Sequence, residues 1–198
     1  MKYPLSIQNL IYHFSKLPSV GPKTAERYVF YLLKQNAEEL QKMAQAIAEL
    51  KEKTTVCQTC LSLAENSPCV ICSDTKRNQE IICIVTDTKD MLGIEATREY
   101  AGLYHILGGV INLIENIKPE NLNLAQLNKR LEKNTVKELI LALSPNLNGE
   151  TTSMYLSKLY SNKNLKITRL ARGLPNGSDL EYMDDLTIAN ALRYRSEI

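Results

Sequence analysis

A chain of 198 residues that is 44% hydrophobic and 23% charged has the composition of an ordinary globular protein, which excludes intrinsic disorder and a collagen-like or linker-dominated polymer. Its 24 basic residues barely outnumber 22 acidic ones, and no apolar run approaches the roughly 18 residues that span a bilayer. Met1-Lys2-Tyr3-Pro4-Leu5 leads into a helical pattern without the apolar run or cleavage site of a signal peptide. A cytoplasmic protein with reduced cysteines is therefore expected.

The first fifty residues predict three helices. Ile7, Leu10, Ile11 and Phe14 recur at helical spacing. A break at Leu17-Pro18-Ser19-Val20-Gly21-Pro22 follows, and proline in a first turn starts the second helix. That helix carries the stripe Ala25, Tyr28, Val29, Leu32 and Leu33, and a third carries Leu40, Met43, Ala44, Ile47 and Leu50. Positive charge gathers here: Lys2, Lys16, Lys23, Arg27 and Lys34 stand against Glu26 alone in residues 1–35. Residues 80–160, by contrast, hold eight bases and ten acids.

After a cysteine-bearing insert at 57–72 the periodicity changes. Ile81-Ile82-Cys83-Ile84-Val85 and Leu139-Ile140-Leu141-Ala142-Leu143 are short apolar runs, as in strands buried on both faces. Between them lie a weaker strand at Tyr104-His105-Ile106-Leu107 and a helix with Leu124, Leu127 and Leu131. A helix with Met154, Tyr155 and Leu159 precedes a strand at 165–170, and the last fifteen or so residues read as helical. Strands alternating with helices predict a small parallel sheet covered on both faces.

Two constellations carry chemistry. Cys57-x2-Cys60-x8-Cys69-x2-Cys72 pairs two Cys-x-x-Cys turns, each presenting two sulfurs to one ion, as a tetrahedral zinc site requires. Disulfides and unrelated core cysteines are the alternatives; a reducing compartment argues against the first and the paired spacing against the second. Four protein ligands make the site closed and structural. The second constellation runs from Leu17 to Arg27. A tight turn before a helix leaves backbone N–H groups free for an anion such as phosphate. Lys23 and Arg27, four apart, share one helical face, with Lys34 near it. An ordinary hairpin with solvated bases fits the same residues.

The order of these parts resembles the RecR family of bacterial recombination mediators over nearly the whole chain. Leu17-Pro18-Ser19-Val20-Gly21-Pro22-Lys23-Thr24-Ala25-Glu26-Arg27 is similar to the family's DNA-binding helix-hairpin-helix motif. Residues Arg172 to Tyr182 resemble its C-terminal motif, and Ser144 to Thr152 its Pro-x-x-Glu-Gly-Glu-x-Thr stretch after the third Toprim strand. Departures are Ser19 for a glycine of the hairpin, Thr86 for a glutamate (Asp87 is adjacent), Asn148 for the first glutamate of that stretch, and 109–113, which lack a Ser-Pro.

The resemblance implies an α+β chain of four parts: a helix-hairpin-helix at 1–53, a four-Cys zinc module at 54–78, a Toprim-like α/β domain with a small parallel sheet at 79–165, and a C-terminal motif and helix at 166–198. It implies a ring-like homotetramer that binds DNA through Lys23 and Arg27. Such a ring acts with RecO, and with RecF in some bacteria, to load the recombinase RecA at single-stranded gaps. Asp87 and Glu150 are then expected to contact a basic protein partner. A Mg²⁺-dependent Toprim nuclease or topoisomerase is the alternative. It needs clustered carboxylates, whereas Thr86 and Ser144-Pro145-Asn146 occupy the strand ends. His13, His105 and Cys83 are expected to be structural, and the chain to be no enzyme.

Overall fold

The computed structural model describes residues 3–132, 135–195 and 197 and divides into two units, 1–54 and 55–198. The first is helical: α1 (Leu5–Phe14), α2 (Pro22–Leu32) and α3 (Ala37–Glu49). Gly21 is extended and Pro22 opens α2 at its first position, where the missing N–H costs nothing. Asn36 caps α3 by accepting from the Glu39 N–H at 2.8 Å, and Glu38 and Glu39 lie in its first turn, where carboxylates oppose the positive end of the helix dipole. Ser19, in the place of a family glycine, has φ 64°, a left-handed conformation that glycine adopts without steric cost.

The predicted stripes of this unit are helical but mostly not buried. Among the described residues of the unit only Ala25 and Val29 are buried. Tyr28, expected in the apolar stripe, is 41% exposed and packs edge-on against Phe14. No residue of α1 or α3 is buried.

The second unit opens with a short antiparallel pair, β1 (Thr55–Val56) and β2 (Leu63–Ala64), and a single turn of helix, α4 (Val70–Ser73). Then come β3 (Asn78–Val85), α5 (Thr88–Glu95), β4 (Gly102–Ile106), α6 (Leu124–Leu131), β5 (Glu138–Leu141), α7 (Leu147–Tyr160), β6 (Lys166–Arg169) and α8 (Asp185–Arg193). The four longer strands form one sheet in the order β4-β3-β5-β6, parallel throughout. β6 lies beyond residue 165 and is nonetheless the fourth strand, with Ile140 opposite Thr168.

Ile82, Cys83, Ile84 and Val85 are buried in succession, so both faces of β3 are covered, as the continuous apolar run requires. Met91 of α5, Leu127 and Leu131 of α6, and Leu156 and Tyr160 of α7 complete the core. Burial pushes the Cys83 thiol up to about 12, which leaves it an inert core residue.

His105 is fully buried on β4. Its Nε2 lies 2.9 Å from the Asn123 carbonyl; a carbonyl only accepts, so Nε2 is the donor of a neutral ring. Burial, with the Arg130 charge adding to it, lowers the His105 pKa from 6.5 to about 4. Because the folded value is depressed, the stabilisation is complete above pH 6.5 and disappears as pH falls through 4. The difference is worth about 3 kcal/mol. Urea unfolding at stepped pH should therefore show His105→Gln losing less stability than the parent between pH 6.5 and 4. Parallel curves would refute this.

Candidate functional site

The four cysteines of the paired motif converge. Their sulfurs all lie within 4.8 Å of one another, although 12 residues separate the first Cys of each pair. The first turn is built by Leu61 N–H donating to the Cys57 carbonyl and Cys57 N–H to the Ser62 carbonyl, both at 2.8 Å, with Leu61 at φ 66°. The second pair sits at the start of α4, where Cys69 N–H points at the Cys57 sulfur at 3.3 Å. Gln58 N–H donates to the Ser67 hydroxyl at 2.9 Å and ties the two turns together.

A tetrahedron of sulfurs about 2.3 Å from a central ion has edges of about 3.8 Å, and Cys60 and Cys69 are 3.7 Å apart. All four are free thiols, three of them buried. The contact with Cys72 holds the Cys60 thiol down to about 4, and the same contact pushes Cys72 up. This soft, closed donor set is placed to hold one metal ion.

Lys23, Arg27 and Lys34 are exposed on α2 and the turn after it. Together with Glu26, Phe30 and Tyr31 they line a shallow concavity of about 420 Å³. Among the described residues none of the three cations makes an ion pair, whereas Glu26 is occupied by the Tyr3 hydroxyl. The turn before α2 presents the Lys23 and Thr24 N–H groups, which precede the first intrahelical bond at Ala25.

The expected acidic pair is divided between two other tasks. Asp87 and Glu150 follow adjacent strands, β3 and β5, at the same end of the sheet. The Asp87 carboxylate caps α5, accepting from Lys89 N–H at 2.8 Å and Asp90 N–H at 3.0 Å. Glu150, in the first turn of α7, pairs with Arg172 and, at 3.5 Å, with Arg169. Asn146 caps the same helix through Gly149 N–H at 2.9 Å. A Cβ on Gly149 would come within 2.0 Å of the Ser144 carbonyl oxygen, so only glycine fits there. Among the described residues the four cysteines are the one group of three or more Cys, His, Asp or Glu close enough to share an ion.

Sequence reasoning missed the pairing of Glu150 with Arg172, because 22 residues separate them and no local pattern links them. It also missed Arg130, whose signal is legible in hindsight: an arginine three residues after Leu127 and one before Leu131 intrudes on the apolar face of α6.

These parts define a Toprim-type parallel sheet joined to a helical hairpin and a tetracysteine module. Profile comparison finds a Toprim domain at 80–171, the RecR helix-hairpin-helix at 7–51 and the RecR C-terminal region at 173–196. Proteins named Recombination protein RecR match along the full chain: 49% identity in Bifidobacterium adolescentis, covering 99% of that relative, 50% in Bifidobacterium animalis subsp. lactis, again covering 99%, and 45% in Staphylococcus aureus, covering all of it. The chain belongs to the RecR family of recombination proteins.

Proposed function

We propose that this chain is a non-enzymatic, DNA-binding mediator of recombination and repair. It works in the cytoplasm with RecO, and with RecF where present, to help load RecA at single-stranded gaps. The observation that carries this reading is the cationic face of Lys23, Arg27 and Lys34, unpaired among the described residues, beside free backbone N–H groups, in a family whose named relatives are recombination proteins. Phosphate contacts of this kind grip any DNA backbone and read no sequence.

Two further features support it. Asp87 is committed to a helix cap and Glu150 to arginines, which argues against a catalytic carboxylate site; a basic partner at Glu150 competes with Arg172. The cysteine set fits Zn²⁺, and Cys57, Cys60, Cys69 and Cys72 would hold it as a closed structural site. Among the described residues no helix is long and apolar enough to cross a membrane.

The N-terminal unit also calls for a second copy. Leu10, Met43, Ile47 and Leu50 stand exposed on α1, α3 and the residue after it, and a unit of about 50 residues with so small a core gains stability by association. A ring places several hairpins on one DNA at high effective concentration. Light scattering with and without gapped DNA tests this. The parent should be an oligomer that binds DNA more weakly as salt rises, and a double variant, Ile47→Glu with Leu50→Glu, should fall to monomers with weaker DNA binding. A monomeric parent, or salt-independent binding, would refute the proposal.

A further inference from the structure

β4 is an outer strand of the sheet, so one row of its backbone groups needs partners from elsewhere. Alternate residues of a strand present N–H and C=O to the same side, and Tyr104 and Ile106 present theirs outward. Ile106 N–H donates to the Cys60 carbonyl at 2.8 Å. The Tyr104 carbonyl accepts from Arg130 Nη1 at 2.5 Å. The guanidinium of α6 and the first cysteine turn therefore occupy neighbouring rungs of one strand edge, on residues whose Cα atoms are about 7 Å apart along it. Gln126, also on α6, donates to the Gln58 carbonyl inside that cysteine turn, so the helix bonds directly to the cysteine module at that point and both rest on the edge of β4.

Arg130 has no evident structural reason to be an arginine here. One hydrogen bond to Tyr104 would be served by a neutral donor, and a buried guanidinium is costly unless its charge and its other N–H groups are matched. Its Nη2 is buried and, among the described residues, has no hydrogen-bond partner; nor does Arg130 join an ion pair there. Burial works against its charge, and the groups that most offset this are the sulfurs of Cys72, Cys60 and Cys57. His105, whose Nδ1 is the other buried atom without a partner, stays neutral and supplies no counter-charge.

A divalent ion held by four thiolates leaves the centre with two net negative charges. In a water-poor core that charge is as costly as the unmatched guanidinium, and the two offset each other when adjacent. Groups just outside the ligand set also tune how strongly the ligands hold the metal.

We propose that Arg130 is the charge partner of the four-cysteine centre: Tyr104 fixes the guanidinium through Nη1 on the strand edge that the cysteine turn also covers, and its charge offsets that of the thiolates through space. Arg130 is thus a positioning residue of the metal site, contributed by the α/β domain and not by the cysteine module. The inference rests on the reading that the four cysteines hold a metal. It makes retention of the ion depend on correct docking of α6 against β4.

The test compares the full-length parent with Arg130→Met, Arg130→Lys and Leu127→Ala, the last removing a buried apolar side chain of the same helix as a control for lost stability. Each is loaded with Zn²⁺ and titrated with a competing chelator. Each is also loaded with Co²⁺, whose sulfur-to-metal absorption reports directly on the thiolates. Arg130→Met is expected to weaken metal retention by about 10- to 100-fold and to shift the Co²⁺ absorption. Arg130→Lys, which keeps the charge, should recover part of both, and Leu127→Ala should unfold at lower temperature while its folded form keeps the parent spectrum and retention. Arg130→Met with parental retention and spectrum, or losing no more than Leu127→Ala, overturns the proposal. A parent that takes up neither metal overturns the metal reading itself, and the proposal with it.

Discussion

Cys60→Ser should abolish metal retention and lower the stability of the second unit by about 5 kcal/mol, a fall in melting temperature of roughly 10–20 °C for a unit of this size. Serine is a poor zinc ligand because its hydroxyl stays protonated where a thiol ionises. The Cys60 side chain is fully buried, its sulfur lies 3.7 Å from that of Cys69, and its carbonyl accepts from Ile106 N–H at the edge of β4. Loss of the ion therefore loosens the turn that covers that edge and exposes a strand prone to pairing with other chains. The damage should appear as aggregation as well as unfolding. The check is elemental analysis with thermal unfolding in the presence and absence of chelator. Chelator should bring the parent down to the variant and leave the variant unchanged. A variant as stable as the parent, with the parent indifferent to chelator, would refute a structural metal.

Changing Lys23 and Arg27 together to alanine should weaken DNA binding on unrelated sequences alike. Each solvated cation–phosphate contact is worth up to about 1 kcal/mol, so two lost contacts cost on the order of tenfold for each engaged hairpin. The salt dependence should flatten by about 0.7 to 0.9 of a logarithmic unit per contact, the smaller figure for single strands. The fold should persist, because both side chains are exposed and α2 buries Ala25 and Val29. Binding is measured across a salt series on gapped DNA of two sequences, with light scattering to confirm the oligomer. A folded, oligomeric double variant that binds like the parent would move the DNA site elsewhere. Arg169 and Arg172 are weak candidates for it, since both are already drawn to Glu150.

The tetracysteine cluster and the hairpin were legible because their chemistry is written in short spacings. Two Cys-x-x-Cys turns present paired sulfurs whatever surrounds them, and Gly21-Pro22 starts a helix that puts Lys23 and Arg27 on one face. Apolar periodicity likewise located most of the helices and the strands of the parallel sheet, but not α5, whose one buried side chain, Met91, sets up no stripe. It overreached on α1 and α3, where periodic leucines and isoleucines announce an apolar face without saying what covers it. The stripe of α3, with Ile47 62% exposed, is a correct helix with a missing partner.

By itself the sequence determined most of the element types, the tetracysteine donor set, the cationic hairpin and, through its motifs, the family. Only the tertiary structure decided the strand order β4-β3-β5-β6, the commitment of Asp87 to a cap and of Glu150 to Arg172 and Arg169, and the place of Arg130 on the Tyr104 carbonyl beside the cysteines. The physical reason is range. Helical and strand periodicity, turn chemistry and ligand pairs act over a few residues, whereas 22 residues separate Glu150 from Arg172 and 26 separate Tyr104 from Arg130. Such pairs form only once burial has chosen which elements lie side by side.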